Sequence, residues 1–160
     1  MQLESLIDQL ERVFSSRPYF GSSVDKILDQ LPLEKANNAY SGGHSIVQIL
    51  QHIFTWRKFL VEQVRGNEAY TFEIAVKDDW APYRIESEAE WEGLKAAIRQ
   101  TQQELIELLQ EKTDGWLAEK PSGLPFTFEF MLLGGMQHDI YHIGQVNLLK
   151  NMESNPSAGE

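Results

Sequence analysis

The chain has 160 residues, a length that suits one domain with a core of its own. Its 14 lysines and arginines against 24 aspartates and glutamates give a formal net charge of −10, which repels nucleic-acid phosphates and anionic lipid. There is no cysteine, which excludes disulfides, thiolate metal sites and a protein thiol nucleophile. We therefore expect neither nucleic acid nor a membrane as a partner.

The first half of the chain predicts two long amphipathic helices. Apolar residues recur every three or four positions between residues 3 and 14. A shorter helical piece over about 22–31 stops at Pro32, and residues 33–43 form a connection. Ser45 followed by Gln48 matches a capping box and begins a helix that Gly66 ends. The start of the chain alternates acidic and apolar residues, unlike a signal peptide, so we expect a cytoplasmic protein.

The second half predicts a crossover and two further long helices. Residues 66–86 lack sustained periodicity but carry four aromatic side chains, which indicates an irregular crossover packed against the other helices. A second capping box, Ser87 with Glu90, begins a helix to about residue 112, and residues 113–126 form a loop. A last helix runs from about 127 to 150 or 151. The predicted domain spans 1–151, and residues 152–160 are predicted to be a disordered tail.

Three of the four histidines are candidate metal ligands. His138 and His142 are four residues apart, so their Cβ atoms lie about 5–6 Å apart on one helix face, a distance that one metal ion can bridge. His52 falls at the edge of the apolar arc of the helix after Ser45 and is the natural third ligand. The carboxylate and Glu-x-x-His pattern of di-iron sites is absent, so one ion is expected rather than two.

Other residues near this pair have alternative interpretations. A His-x-x-x-His pair alone is often an ordinary polar pair, and His44 is predicted to belong to the turn before its helix. Two consecutive glycines, Gly134 and Gly135, are unfavourable in a helix and predict close approach by a neighbouring helix. Gln145 and Tyr141 are the catalytic candidates, because they follow the histidine stripe and its flank and carry groups that can orient water or donate a hydrogen bond. Asp139 projects about 100° from its neighbour and is expected to lie outside the site.

Three segments together resemble the DinB/YfiT-like proteins. Residues 43–56 resemble the family's second helix, Asp79-Trp80 its crossover, and residues 139–145 its last-helix signature, and the likeness covers roughly residues 1–151. The resemblance implies an all-α four-helix bundle with a long crossover between the second and third helices, often as a homodimer. It also implies one divalent ion on His52, His138 and His142. Zinc or nickel is expected first, and iron or manganese are the alternatives.

The resemblance leaves two classes of function open. Some relatives are transferases or isomerases that use low-molecular-weight thiols such as bacillithiol or mycothiol, so a metal-dependent enzyme that uses such a thiol and a small-molecule substrate is the first hypothesis. Metal-dependent hydrolysis is a variant, although no obvious general base accompanies the histidines. The alternative is a non-catalytic bundle that binds a metal structurally or serves association.

Overall fold

The computed structural model describes residues 2–39 and 42–152, and within these ranges the chain is helical with no β-strand. The tail predicted for residues 152–160 lies, apart from Met152, outside the described residues. The all-α prediction is confirmed, and no described helix combines the length and apolar composition that crossing a membrane requires. The helices are α1 (Leu3–Phe14), α2 (Val24–Asp29), α3 (Leu33–Ala36), α4 (Ile46–Arg65), α5 (Phe72–Asp78), α6 (Glu88–Gln110) and α7 (Phe128–Asn151), with a 3-10 helix (Asp114–Ala118) before α7.

The four long helices, α1, α4, α6 and α7, form the predicted bundle. Helix α4 packs against both α6 and α7, and α1 packs against the same two helices from the other side. Each of the four long helices therefore has two neighbours among the other three, and their order around the core is α1, α6, α4, α7. This arrangement sets α4 beside α7, the two helices that carry the candidate ligands.

Both predicted capping boxes fix where the long helices begin. The Ser45 side chain accepts from the Gln48 backbone N–H while the Gln48 side chain returns to the Ser45 backbone, and Ser87 and Glu90 do the same at α6. Such a cap is worth about 1 kcal/mol. Helix α4 ends at Gly66, whose φ of +80° lies in the left-handed region that glycine adopts most easily. The two ends of α4 are thus fixed, and with them the side of the helix on which His52 lies.

The crossover differs from its prediction in one respect. Residues 66–86 were expected to be wholly irregular, but they contain α5, which packs against α4. This helix has no apolar stripe to detect: Ala75 is buried, while Phe72, Ile74 and Val76 are exposed. The short helices α3 and Asp114–Ala118 escaped prediction as well, because one turn gives too few residues for a period.

A buried polar layer divides the apolar core into two clusters. Along α4, the buried apolar residues of the first cluster are Ile46, Val47, Ile49, Leu50 and Ile53, and those of the second are Leu60, Val61 and Val64. Along α7, Leu132 belongs to the second cluster and Ile143 to the first. The buried polar side chains between the clusters include His52, Arg57, Thr101, Gln102, Asp139 and His142. Two of the three candidate metal ligands, His52 and His142, lie in this layer, and the half-buried His138 lies at its edge.

The two glycines of α7 differ from each other. A Cβ atom on Gly135 would lie 2.8 Å from Leu60 Cδ2, so this glycine permits the close approach of α4 that the sequence predicts. A Cβ atom on Gly134 would meet nothing within 4 Å. The prediction of helix packing is therefore wrong for Gly134, which lies beside open space.

Candidate metal centre

Three imidazoles from two helices converge in the polar layer. His52 Nε2 on α4 lies 2.8 Å from His138 Nε2 and 3.1 Å from His142 Nε2, both on α7. One ring nitrogen of each histidine lies within 4.8 Å of those of the other two. His52 and His142 are buried and His138 is half-buried. The structure thus brings together the three histidines that the sequence singles out, and the group could hold a metal ion.

The outer ring nitrogens are held in the orientation that a metal site needs. His52 Nδ1 faces Asp79 Oδ1, and His142 Nδ1 lies 2.8 Å from Gln145 Oε1. An ionised carboxylate and an amide oxygen can only accept, so each Nδ1 carries the proton and each Nε2 presents a lone pair to the cluster. Such partners for ligating histidines are typical of metal centres.

The spacing of the inner nitrogens also fits an ion. Zinc–nitrogen bonds are about 2.0–2.1 Å, so two nitrogens on one tetrahedral ion lie about 3.4 Å apart. The two separations from His52 Nε2, 2.8 and 3.1 Å, are near that value. Without a cation between them, the Nε2 lone pairs of His52 and His142 repel one another. The donor set therefore suits a divalent ion that accepts imidazole ligands.

Burial keeps two of the imidazoles neutral. It lowers the pKa of His138 to about 4, and the positive charge that His142 and His52 would carry adds to the effect. Burial also lowers the pKa of His142, although its hydrogen bond with Gln145 acts in the opposite direction. Because a metal ion binds the neutral form, these two rings are available as ligands at neutral pH without losing a proton.

The crossover supplies two residues that hold His52. The Asp79 carboxylate that faces His52 also accepts from Trp56 Nε1 at 3.3 Å. The Trp80 ring stacks between His52 and His44, with centroids 3.9 and 3.8 Å away. Trp80 has a φ of +54°, a backbone conformation that a large side chain adopts only when its surroundings hold it there. The sequence assigned no role to Asp79 beyond the Asp79-Trp80 likeness, which was the available signal.

His44 and the two catalytic candidates lie around the outer side of His142. The Gln145 amide, expected to orient a water or substrate, instead accepts from His142. Tyr141 is 64% exposed, and its ring meets His142 edge to face with centroids 4.8 Å apart. Together with His44 and Trp80, these residues line a cavity of about 440 Å³. Contact between Gln145 or Tyr141 and a substrate stays a prediction.

A second polar group in the same layer was not foreseen. Arg57 donates through Nη1 to Asp139, through Nε to Thr101 Oγ1 at 2.8 Å and through Nη2 to Gln102 Oε1 at 2.5 Å. All four side chains are buried. Burial raises the pKa of Asp139, and the adjacent guanidinium opposes that rise. As expected, Asp139 is not among the converging ligands. The sequence signal for the partner of Asp139 was that Arg57 lies on the apolar side of α4, where a charged residue needs a buried partner.

A separate, mainly apolar cavity of about 250 Å³ adjoins His138. Its wall includes His138 and Gly134 of α7, together with Trp56 and Phe59 of α4. His138 therefore faces this cavity, while His142 faces the more polar one beside Tyr141. Two separate spaces adjoin one cluster of potential ligands.

The bundle and its buried histidines define a helical protein with a candidate three-histidine metal centre. The chain belongs to the DinB superfamily, whose family model matches residues 21–146 and so includes all three histidines. The family resemblance found in the sequence is thereby confirmed. Searches of curated proteins and of solved structures give no significant match to the chain.

Proposed function

We propose that this chain is a metal-dependent enzyme that transfers a low-molecular-weight thiol to a small electrophile. The observation that supports it is the convergence of three Nε2 atoms at a point that adjoins two cavities. Three protein ligands leave a coordination position for a water or substrate, as catalytic zinc sites do. Zinc or nickel ranks ahead of iron and manganese, because imidazole sites favour the later divalent metals.

The chain's own residues supply positioning rather than a nucleophile. A divalent ion held by His52, His138 and His142 would lower the pKa of a bound thiol and so favour the thiolate near neutral pH. Asp79 and Gln145 fix the orientation of two ligands, and Trp80 covers the His52 ring. Because the chain has no cysteine, the thiol has to come from a second molecule. Two cavities at one centre suit a reaction with two substrates.

A structural role for the ion is the second candidate. The three histidines come from α4 and α7, so a bound ion would join two neighbouring helices of the bundle. In structural zinc sites the binding free energy contributes directly to folding. This role predicts that loss of the ion unfolds the protein, whereas an enzyme of the proposed kind keeps its fold.

Metal analysis with a matched histidine control tests the centre. Untagged protein, His142→Ala and His44→Ala would be analysed by inductively coupled plasma mass spectrometry, with circular dichroism as a check of folding. We expect about one equivalent of metal in the wild type and in His44→Ala, and none in His142→Ala. His44 is a suitable control because it lies nearby but outside the converging group. Wild-type protein without metal would refute the proposal.

Thiol consumption tests the reaction. The metal-loaded protein would be incubated with low-molecular-weight thiols and a panel of electrophiles, and free thiol would be followed over time. We expect consumption that depends on the metal and disappears in His142→Ala. If the wild type holds one equivalent of metal but consumes no thiol, and His142→Ala both loses the metal and unfolds, the structural role would be established instead.

A further inference from the structure

The apolar cavity beside His138 has a wall rich in aromatic rings. It is lined by residues of α1, α4, α5, α6 and α7 and of the segment before α7. Three of its rings pack closely: Trp56 and Phe72 have centroids 5.5 Å apart, and Phe59 lies 5.8 Å from Trp56. The aromatic residues on the wall are Trp56, Phe59, Phe72, Phe126 and Phe130.

The mouth of this cavity exposes large apolar side chains. Phe72 and Phe126 are each 47% exposed and Phe130 is 59% exposed. The rings of Phe126 and Phe130 stack with centroids 4.8 Å apart. Single exposed apolar residues are ordinary, but a group around one concave space marks a ligand site. The rings are therefore placed to contact a molecule that enters here.

The two charged residues on the wall form an ion pair with each other, although Asp139 Oδ1 has no hydrogen-bond partner among the described residues. Arg57 and Asp139 line the cavity, but the guanidinium is bonded to Thr101, Gln102 and Asp139 itself. A charged ligand would lose its hydration without meeting a free counter-charge, which costs several kcal/mol. The wall thus favours an uncharged molecule.

We propose that this cavity binds the aromatic body of an uncharged substrate and presents its reacting end to His138. A dry cavity of about 150 Å³ lined by similar residues binds benzene in another protein. The present cavity is about 250 Å³, enough for a bicyclic ring. The reaction rests on the proposed function, but the binding of the aromatic ring does not.

Gly134 offers a direct way to fill the cavity. It lies on the wall, and a Cβ atom there meets nothing within 4 Å, so a side chain can start into the cavity without a clash at its first atom. Gly93, on α6, is a matched control, because its Cβ also meets nothing and it is exposed. Both changes to leucine replace a helical glycine, so they share the gain in helix propensity.

Isothermal titration calorimetry with indole as the probe tests the proposal. We expect one indole per chain with and without bound zinc, unchanged in Gly93→Leu and weakened at least about tenfold in Gly134→Leu, because leucine occupies the space. Circular dichroism verifies that Gly134→Leu is folded. If it is not, Gly134→Ala is the replacement, with weaker but measurable binding expected.

The outcomes separate this proposal from the proposed function. Failure of the wild type to bind indole, or equal binding by Gly134→Leu, overturns the aromatic site whatever the metal analysis gives. Benzyl alcohol and benzoate supply a second arm: we expect the alcohol to bind more tightly, and equal affinity would overturn the preference for an uncharged ligand. Absence of metal or of thiol turnover leaves the indole result unaffected and refutes only the reaction.

Discussion

Two polar clusters share the middle layer of the bundle, and they are completed in different ways. In the arginine cluster, formed by Arg57, Thr101, Gln102 and Asp139, a cation donates to three acceptors, one of which is a carboxylate. In the histidine cluster, formed by His52, His138 and His142, the same kind of atom converges from three side chains. In the arginine cluster donors meet acceptors, and only Gln102 Nε2 and Asp139 Oδ1 have no partner among the described residues. In the histidine cluster the Nε2 atoms of His52 and His142 face each other 3.1 Å apart while their Nδ1 atoms meet other partners. The first cluster therefore joins α4, α6 and α7 through its own side chains, and the second could hold a metal ion.

The two clusters are interleaved along the same helices. On α4, His52 precedes Arg57 by five residues, and on α7, His138 and Asp139 are adjacent. Successive helical residues point about 100° apart, so neighbours in sequence join different groups. Residues of the two clusters thus alternate along α4 and α7, so single substitutions can change one cluster and leave the other intact.

The largest effect is expected from breaking the arginine cluster. Asp139→Ala leaves the Arg57 guanidinium buried without its counter-charge, which should lower the free energy of unfolding by about 3–5 kcal/mol. Urea unfolding of metal-free protein measures this. Asp8→Ala removes an exposed ion pair with Arg12 and should leave the midpoint nearly unchanged. Similar midpoints for the two variants would contradict a structural role for the cluster.

Replacing both charged partners should recover much of that loss. Arg57→Met combined with Asp139→Leu fills similar space with apolar atoms, and such replacements of buried pairs are often neutral or stabilising. We expect the double variant to unfold at a higher urea concentration than Asp139→Ala. A double variant as unstable as the single one would mean that Thr101 and Gln102 require the guanidinium.

The histidine cluster should affect stability only through its ion. With free zinc at about a hundred times the dissociation constant, binding raises the free energy of unfolding by about 2.7 kcal/mol. We expect this shift in the wild type and in His44→Ala, and none in His138→Ala, when thermal unfolding is compared with and without zinc. In a chelator, His138→Ala should be no less stable than the wild type. A large loss there would place this cluster in the same class as the arginine cluster.

A smaller effect is expected from the residue that orients His52. Asp79→Ala removes the partner of Nδ1, and loss of such a partner weakens metal affinity about 10–100-fold. Competition titration against a chromophoric chelator measures it. Asp79→Asn keeps an amide oxygen that can still accept from Nδ1 and should lose less. Equal affinity of Asp79→Ala and the wild type would show that Trp80 stacking alone fixes the ring.

Local patterns in the sequence account for what could be predicted. Both capping boxes and the spacing of His138 and His142 concern residues three or four apart, where helix geometry alone sets the relation. His52 needed more: its position at the edge of an apolar arc made it a candidate, and the family resemblance made it the expected ligand. Its inclusion in the converging group agrees with that expectation.

The arginine cluster could not be predicted in the same way. Arg57 and Asp139 are 82 residues apart, so their pairing depends on how α4 and α7 pack. In the sequence Asp139 is adjacent to His138 and Arg57 follows His52 by five residues, but neither spacing indicates that the two pair with each other. Helix α5 was missed for a related reason, since it buries little beyond Ala75 and leaves no periodic signal. Long-range pairing and weakly buried elements are decided by tertiary structure.

The smallest effects are expected at the two glycines one helical turn before the clusters. Gly134 precedes His138 by four residues and Gly135 precedes Asp139 by four, and both line the apolar cavity. They differ in that a Cβ atom meets nothing within 4 Å at Gly134 but lies 2.8 Å from Leu60 Cδ2 at Gly135. Gly134→Ala should raise the free energy of unfolding by about 1 kcal/mol, because alanine is the better helix former and nothing is displaced.

Gly135→Ala gains the same propensity but forces Leu60 Cδ2 away from a separation of 2.8 Å. Overpacking in a core costs about 1–3 kcal/mol, and Leu60 can relieve part of it because its side chain also lines the cavity. We therefore expect Gly135→Ala to be neutral or destabilising in urea unfolding. Leu60→Val in the Gly135→Ala background should recover part of the stability that Gly135→Ala loses relative to Gly134→Ala, since valine lacks the crowded Cδ2 methyl group. Equal gains from both alanines would mean that Leu60 does not limit the space beside Gly135, and the contrast between the two glycines would not hold.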